Sequence, residues 1–239
     1  MTILKVENLG KQFTIHHLDK TIQAVEKISF SIHEGEFLGI VGKSGSGKST
    51  ILKSIYRSYL SDTGVIKYNS VQFGELDLVQ ATEREILYLR KHEIGYVSQF
   101  LNVMPRVTSR ELVEKALLEM GESEAVARIE AEAALSHFEL EQQLWDTYPN
   151  TFSGGEKLRL NIAIATVKRP RLLLLDEPTA SLDHHSKLKV REIIEKLKIN
   201  GTTLVGIFHD IEFMEGLCDK VFDLQNRNMI EKVGMDSES

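Results

Sequence analysis

Gly42, Gly47, Lys48 and Ser49 occupy the fixed positions of the pattern G-x-x-x-x-G-K-[ST]. Each residue type has a use there. Glycines let the backbone curl until successive N–H groups point at phosphate oxygens. The lysine reaches the β- and γ-phosphates of a nucleotide, and the serine hydroxyl ligates Mg²⁺. Ser44, Gly45 and Ser46 fill the turn and Thr50 follows Ser49, so the phosphate-facing run is residues 42–50. The flanks agree with this reading. Residues 37–41 are an apolar run that reads as a buried strand, and residues 49–58 read as a helix whose N-terminus faces the anion. A Gly/Ser-rich turn without a ligand would explain the loop, but not the strand before it and the helix after it.

A second group of candidates lies further along the chain. Residues 172–175 are four leucines, followed by Asp176 and Glu177. This places two carboxylates at the C-terminal end of a buried strand, where open α/β sheets bind ligands. Asp176 fits the role of holding Mg²⁺ through water, and Glu177 that of polarising an attacking water. Alone, the pair reads equally well as a solvated acidic turn. Beside a phosphate loop, phosphoryl chemistry is favoured. Gln99 follows the strand at 94–97, where its amide would reach the metal or the lytic water. His209 follows the strand at 203–208, beside Asp210, where it would contact a γ-phosphate. An isolated Gln or His is more often a loop or packed residue. Both gain weight from following strands expected to flank the one that carries the loop. Ser153 and Glu156 have capping-box spacing, which marks an ordinary helix start. Gly154 and Gly155 between them also leave free N–H groups suited to a phosphate.

The elements that position these residues alternate. Residues 3–9 and 28–32 alternate apolar and polar, and 65–68 and 71–73 read as two further short strands, so the first third is strand-rich. Helices are expected at 83–91, 155–168 and 184–199, with strands at 94–97, 171–175 and 203–208. That order predicts an α/β fold with a mainly parallel sheet covered on both faces. From Pro105 the character changes. Thr108 and Glu111 have capping-box spacing, and 111–120 and 123–137 read as amphipathic helices. The expected organisation is one domain over 1–239: an α/β core with its β layer from 1–102 and 153–239, and an inserted helical subdomain at about 103–152. The tail from Gly234 is small and polar and reads as frayed.

Bulk composition narrows the classes. Of the 239 residues, 42% are hydrophobic and 27% charged, ordinary values for a globular protein. The net charge of −6 and the lack of a long Lys/Arg run argue against a nucleic-acid partner. Cys218 is the single cysteine, so no intrachain disulfide forms; it reads as a small core residue in a reducing, cytoplasmic setting. No apolar run approaches the roughly 20 residues of a membrane helix, and residues 1–10 do not read as a signal peptide. In a membrane system this chain would therefore be a peripheral subunit.

The phosphate loop, Gln99, Ser153-Gly154-Gly155, Asp176-Glu177, Ser181-Leu182-Asp183 and His209 occur in the order found in ATP-binding-cassette ATPases, which the chain resembles along its whole length. The resemblance implies a nucleotide core, an antiparallel β layer and a helical subdomain, with ATP and Mg²⁺ as ligands. It implies that Phe13 stacks on adenine. Ser153, Gly154 and Gly155 would face ATP held by a second subunit in a head-to-tail pair, with Asp183 coupling the two sites. Three positions depart from the family's habit: Phe152 for Leu, Glu156 for Gln and Ile164 for Arg. They bear on rate and partner pairing rather than on nucleotide binding.

Within that family, Val97-Ser98-Gln99-Phe100-Leu101, Pro105-Arg106 and residues 151–156 and 206–210 are similar to the L-type ATP-binding subunit of the bacterial carbon–phosphorus lyase system. That system degrades phosphonates. The similarity implies pairing with itself or with a K-type cassette subunit on the soluble lyase core, with ATP-driven dimer closure remodelling or turning over that core. The alternative is the ATPase subunit of a lipoprotein-release or macrolide-export transporter, coupled to a membrane permease. A nucleotide-gated scaffold without turnover would have no use for Glu177, and no acceptor pocket for a kinase is legible.

Overall fold

A computed structural model describes residues 1–15, 20–99, 101, 106–180, 182–208 and 211–231. The alternating N-terminal segments pair as β1 (Thr2–Ile15) and β2 (Lys20–His33), antiparallel and longer than the expected 3–9 and 28–32. Pairing continues through Phe13↔Ile22 to Ile15↔Lys20, past where the apolar alternation alone is legible. With β4 (Thr63–Ser70) and β5 (Gly74–Asp77) they form an antiparallel sheet in the order β2-β1-β4-β5.

Residues 71–73 are the turn between β4 and β5, not the strand their composition predicts. The turn is made by side-chain acceptors. Ser70 Oγ accepts from the N–H groups of Gln72 and Phe73, each at 3.1 Å. The buried Glu93 carboxylate accepts from Val71 N at 3.2 Å. The local bonds to Ser70 compete with a strand ladder, and the distant Glu93 carboxylate reinforces them.

The second sheet carries the site. Its order is β10-β9-β3-β8-β7-β6. The strands are β3 (Phe37–Val41), β6 (Ile94–Val97), β7 (Leu172–Asp176), β8 (Thr203–Ile207), β9 (Lys220–Asp223) and β10 (Asn228–Glu231). All neighbours are parallel except β10 on β9. β7 and β8 are buried along their whole length, as a parallel sheet covered on both faces requires. The fold is thus the expected α/β type, a mainly parallel core sheet with an antiparallel layer. One expectation is corrected: β6 does not flank β3. It lies at the sheet edge beside β7, so the segment holding Gln99 follows the neighbour of the Asp176 strand. β8, which precedes His209, does flank β3.

The helices are α1 (Lys48–Ile55), α2 (Glu83–His92), α3 (Ser109–Met120), α4 (Glu124–His137), α5 (Gly154–Thr166), α6 (His184–Ile199) and α7 (Ile211–Met214). The capping boxes expected at Thr108/Glu111 and Ser153/Glu156 are both formed, and Thr82/Glu85 makes a third. Each satisfies two N–H donors at a helix start, which is why these helices begin where they do.

Two apolar clusters hold the layers together. Ile3, Leu9, Ile51, Leu52, Leu174 and Ile207 belong to the one between the antiparallel sheet, α1 and one face of the central sheet. On the opposite face, Leu173, Leu175 and Ile194 share a cluster with Val113 of α3 and Leu135 of α4, so residues 109–137 are packed into the same core as the sheet. Among the described residues, no helix is long and apolar enough to cross a membrane.

Candidate functional site

The phosphate loop runs from the end of β3 into α1. Its crown, Lys43, Ser44 and Gly45, is exposed. Gly47 takes φ +93°, in the left-handed region, and caps α1 with no side-chain bond. A Cβ at this position would lie 2.2 Å from the Ala24 carbonyl oxygen on β2, so only glycine lets the loop pass the hairpin. The N–H groups of the first turn of α1, including those of Ser49 and Thr50, have no intrahelical partners by geometry. That turn also carries no acidic residue. Lys48 is only 3% exposed, and its ammonium donates to the carbonyls of Gly42 at 2.9 Å and Lys43 at 3.0 Å. Ser46 Oγ, packed beneath Gly42, is buried with no hydrogen-bond partner.

Ser49 and Asp176 meet across the mouth of this loop. The Ser49 hydroxyl donates to Asp176 Oδ1 at 2.7 Å, and the Tyr96 phenol donates to Asp176 Oδ2 at 2.6 Å. Burial, reinforced by the bond to Asp176, pushes the Tyr96 phenol well above its ordinary value, so it remains a proton donor. Asp176 itself is 6% exposed. Helix-start N–H groups without intrahelical partners, a buried ammonium and an orphaned hydroxyl suit phosphate. A hydroxyl beside a carboxylate is a hard-oxygen donor set suited to Mg²⁺.

Glu177 follows at φ +51°, an uncommon conformation for a residue with a side chain. It turns the chain sharply off β7. Glu177, Gln99, Ser98, Gly154 and Asn161 line one cavity of about 270 Å³. The structure therefore gathers Gln99 and Glu177 beside the start of α5. Phe13 stands on the β1–β2 hairpin that passes the loop, where its ring meets Tyr59 edge-on at 5.2 Å. Tyr59 lies just beyond α1.

Ser153 and Gly154 are exposed at the start of α5, and among the described residues no hydrogen bond links residues 153–155 to residues 42–50. Gly155 is buried because its backbone abuts α6: a Cβ there would lie 2.9 Å from Ser186 Oγ. Asp183 caps α6, accepting from Ser186 N at 2.9 Å and Ser186 Oγ at 2.8 Å, and these bonds hold its carboxyl below the usual range. The starts of α5 and α6 thus form one exposed polar face. His209 and Ser181 lie outside the described residues.

One functional-looking residue is missed by the motifs. Tyr96 sits inside the strand expected at 94–97, and its phenol is the second donor to Asp176. The available signal is a tyrosine at the penultimate position of a short strand. Its meaning depends on which strand lies alongside.

A sequence pattern described as "ABC transporter" matches residues 25–180. The chain belongs to the ABC transporter family. Relatives agree over nearly full length. The cell division ATP-binding protein FtsE of Bacillus subtilis is 34% identical over 86% of this chain and 87% of that protein. The lipoprotein-releasing system ATP-binding protein LolD of Aquifex aeolicus is 32% identical over 97% of each. The solved dimeric structure of a post-hydrolysis state of the ATP-binding cassette MJ0796 bound to ADP and Pi superposes with TM-score 0.84. That match is 28% identical and covers 99% of this chain and 98% of the other. This ABC protein is an ATP hydrolase, with ATP as substrate and Mg²⁺ as cofactor.

Proposed function

We propose that this ABC ATPase works as a head-to-tail pair and drives a membrane-embedded partner from its cytoplasmic side. One observation carries the pairing. Ser153, Gly154 and Asp183 form an exposed polar face with no bond to the chain's own phosphate loop. Such a face is completed by nucleotide held on a second subunit. The names of the family and of one relative support the membrane partner: the matched pattern is that of ABC transporters, and the relative serves a lipoprotein-releasing system. They favour a permease-type partner over the carbon–phosphorus lyase core that the segments at 97–101, 151–156 and 206–210 suggest.

In this reading each residue has one task. The free N–H groups among residues 44–50 and the Lys48 ammonium hold the phosphates, the Ser46 N–H closing the turn on the Lys43 carbonyl, and Phe13 stacks on the base. Ser49, Asp176 and Gln99 hold Mg²⁺, which when bound neutralises phosphate charge. Glu177 orients and polarises the attacking water, with His209 at the γ-phosphate. Residues 153–155 reach the partner's nucleotide, and Asp183 couples the two sites. Residues of about 103–152 make up the inserted helical subdomain, which leads directly into residues 153–155. Contacts made through the γ-phosphate exist only in the closed pair, so ATP shifts the equilibrium toward closure and its hydrolysis reverses that shift.

The test is Glu177→Gln. This variant is expected to bind ATP, to hydrolyse it at a small fraction of the wild-type rate, and to accumulate as a dimer in sizing chromatography. Wild-type turnover by this variant would remove Glu177 from its assigned role. Tagged, trapped with Mg-ATP and isolated from cells grown on a phosphonate, the same variant identifies the partner. An integral membrane protein supports the reading, and soluble phosphonate-pathway subunits would replace it with the lyase core.

A further inference from the structure

The Asp176 carboxylate is held from two sides, and only one holder belongs to the phosphate loop. Ser49 donates to Oδ1, Tyr96 to Oδ2, at 2.7 and 2.6 Å. The Tyr96 bond follows from strand register. β6 and β7 are parallel neighbours with Tyr96 opposite Leu174. Side chains two apart on a strand share a face, so Tyr96, Leu174 and Asp176 all point toward α1. Asp176 lies two residues beyond Leu174, roughly 6–7 Å along the strand. A tyrosine spans that distance with a hydroxyl at its tip. Phenylalanine has the length without the donor, and serine or threonine the donor without the length.

The phenol is itself braced. The Tyr96 ring packs on Tyr56 at 4.9 Å, and the Arg90 guanidinium of α2 sits over the other ring at 4.7 Å. Arg90 Nε also donates to the Tyr56 carbonyl at 2.9 Å. Tyr56 is the C-cap of α1, seven residues after Ser49. Residues seven apart fall on one helix face. One face of α1 therefore fixes Asp176 twice, directly through Ser49 and indirectly through Tyr56 and Tyr96.

We propose that Tyr96 is a positioning residue that orients the metal-binding carboxylate of Asp176, an inference that rests on Asp176 being a Mg²⁺ ligand. Outer-sphere partners of metal ligands fix ligand orientation, and their loss typically costs about 10–100-fold in metal affinity. Tyr96→Phe removes the hydroxyl and keeps the ring against Tyr56.

The experiment uses Mn²⁺ as probe metal, with ADP saturating so that no turnover intervenes, and free Mn²⁺ read by electron paramagnetic resonance. Tyr96→Phe is expected to bind Mn²⁺ about tenfold more weakly than wild type, while its metal-free affinity for ADP stays at the wild-type value and its melting temperature falls only by the cost of one lost hydrogen bond. In steady-state hydrolysis the half-saturating Mg²⁺ concentration should rise in step, with kcat recovered at high Mg²⁺. A role in packing alone would move neither metal titration. Wild-type Mn²⁺ affinity in Tyr96→Phe overturns the proposal. Failure of the wild-type protein to bind ADP or Mn²⁺ would instead overturn the assignment of the site on which it rests.

Discussion

Asn161, two turns into α5, donates from Nδ2 to the carbonyl of Ser98 at 3.0 Å. This bond ties the helix that begins at Ser153-Gly154-Gly155 to the residue preceding Gln99. Asn161 is 8% exposed, between the fully buried Leu160 and Ile162, so its amide has little freedom to choose another partner. A displacement of α5 is therefore passed to the segment holding Gln99. Asn161→Ala should cost about 1 kcal/mol of stability, the net worth of one hydrogen bond. It should leave ATP affinity at the phosphate loop unchanged and lower turnover severalfold. Denaturant unfolding, nucleotide titration and phosphate release check the three parts. Unaltered turnover would mean that α5 and the Gln99 segment act independently.

Gly47 makes the phosphate loop intolerant of a single methyl group. Its φ of +93° costs any L-residue about 1–2 kcal/mol. In addition, a Cβ would meet the Ala24 carbonyl oxygen at 2.2 Å and Val25 Cγ1 at 2.6 Å. Gly47→Ala must push the β1–β2 hairpin and the loop apart, so nucleotide binding should be lost and the melting temperature lowered. Gly35 supplies the control: its φ is also positive, +77°, but nothing lies within 4 Å of a Cβ there. Gly35→Ala should lower stability by the backbone cost alone and leave nucleotide titrations unchanged.

What was legible in the sequence is what local chemistry determines. The limits of β3 and α6 coincide with the expected 37–41 and 184–199, and the capping boxes at Thr108 and Ser153 form as their spacing predicts. What was not legible depends on distant residues. Residues 71–73 have strand composition, but Glu93, over 20 positions away, holds them in a turn. β9 and β10 each hold only one adjacent pair of apolar residues between polar ones, so neither an alternation nor an apolar run declares them. The strand order that puts β6 beside β7 is written in no local pattern. It brings Tyr96 to Asp176 across 80 positions.

Cys218 should be chemically silent in the folded protein. It is buried against Gly39, where a Cβ would come within 3.0 Å of its sulfur. Burial pushes its thiol up to about 12, although the Lys198 charge pulls the other way. The thiolate is the reactive form, so at pH 8 a folded sample should react with iodoacetamide far more slowly than the same sample in denaturant. Prompt stoichiometric labelling of native protein would show that the segment around 214–218 opens readily. ADP should leave the slow rate unchanged, because the thiol lies off the nucleotide site.

Acid should weaken the seam between the two sheets through Glu36. Its carboxylate accepts from His33 N at 2.8 Å at the end of β2, and from Lys220 Nζ of β9 at 2.9 and 3.1 Å. Desolvation alone would raise its pKa. The bonds from His33 and Lys220 outweigh that and hold it below the ordinary 4.5. A carboxylate whose folded pKa is depressed contributes stability that is full above its unfolded value and lost as pH falls through the folded one. The Glu36 contribution is thus complete at neutral pH and disappears below about pH 4.5. Asp62, Glu111 and Asp183 are shifted in the same direction, but they are exposed and screened by solvent, so they add little, and the aspartates only below their ordinary 3.8. Glu36→Gln keeps an acceptor for His33 but loses the charge facing Lys220. Its melting temperature should fall below wild type at pH 7 and converge with it as pH is lowered past 4.5. A gap that stays constant from pH 7 to pH 3.5 would show that the ion pair is not the source of the difference.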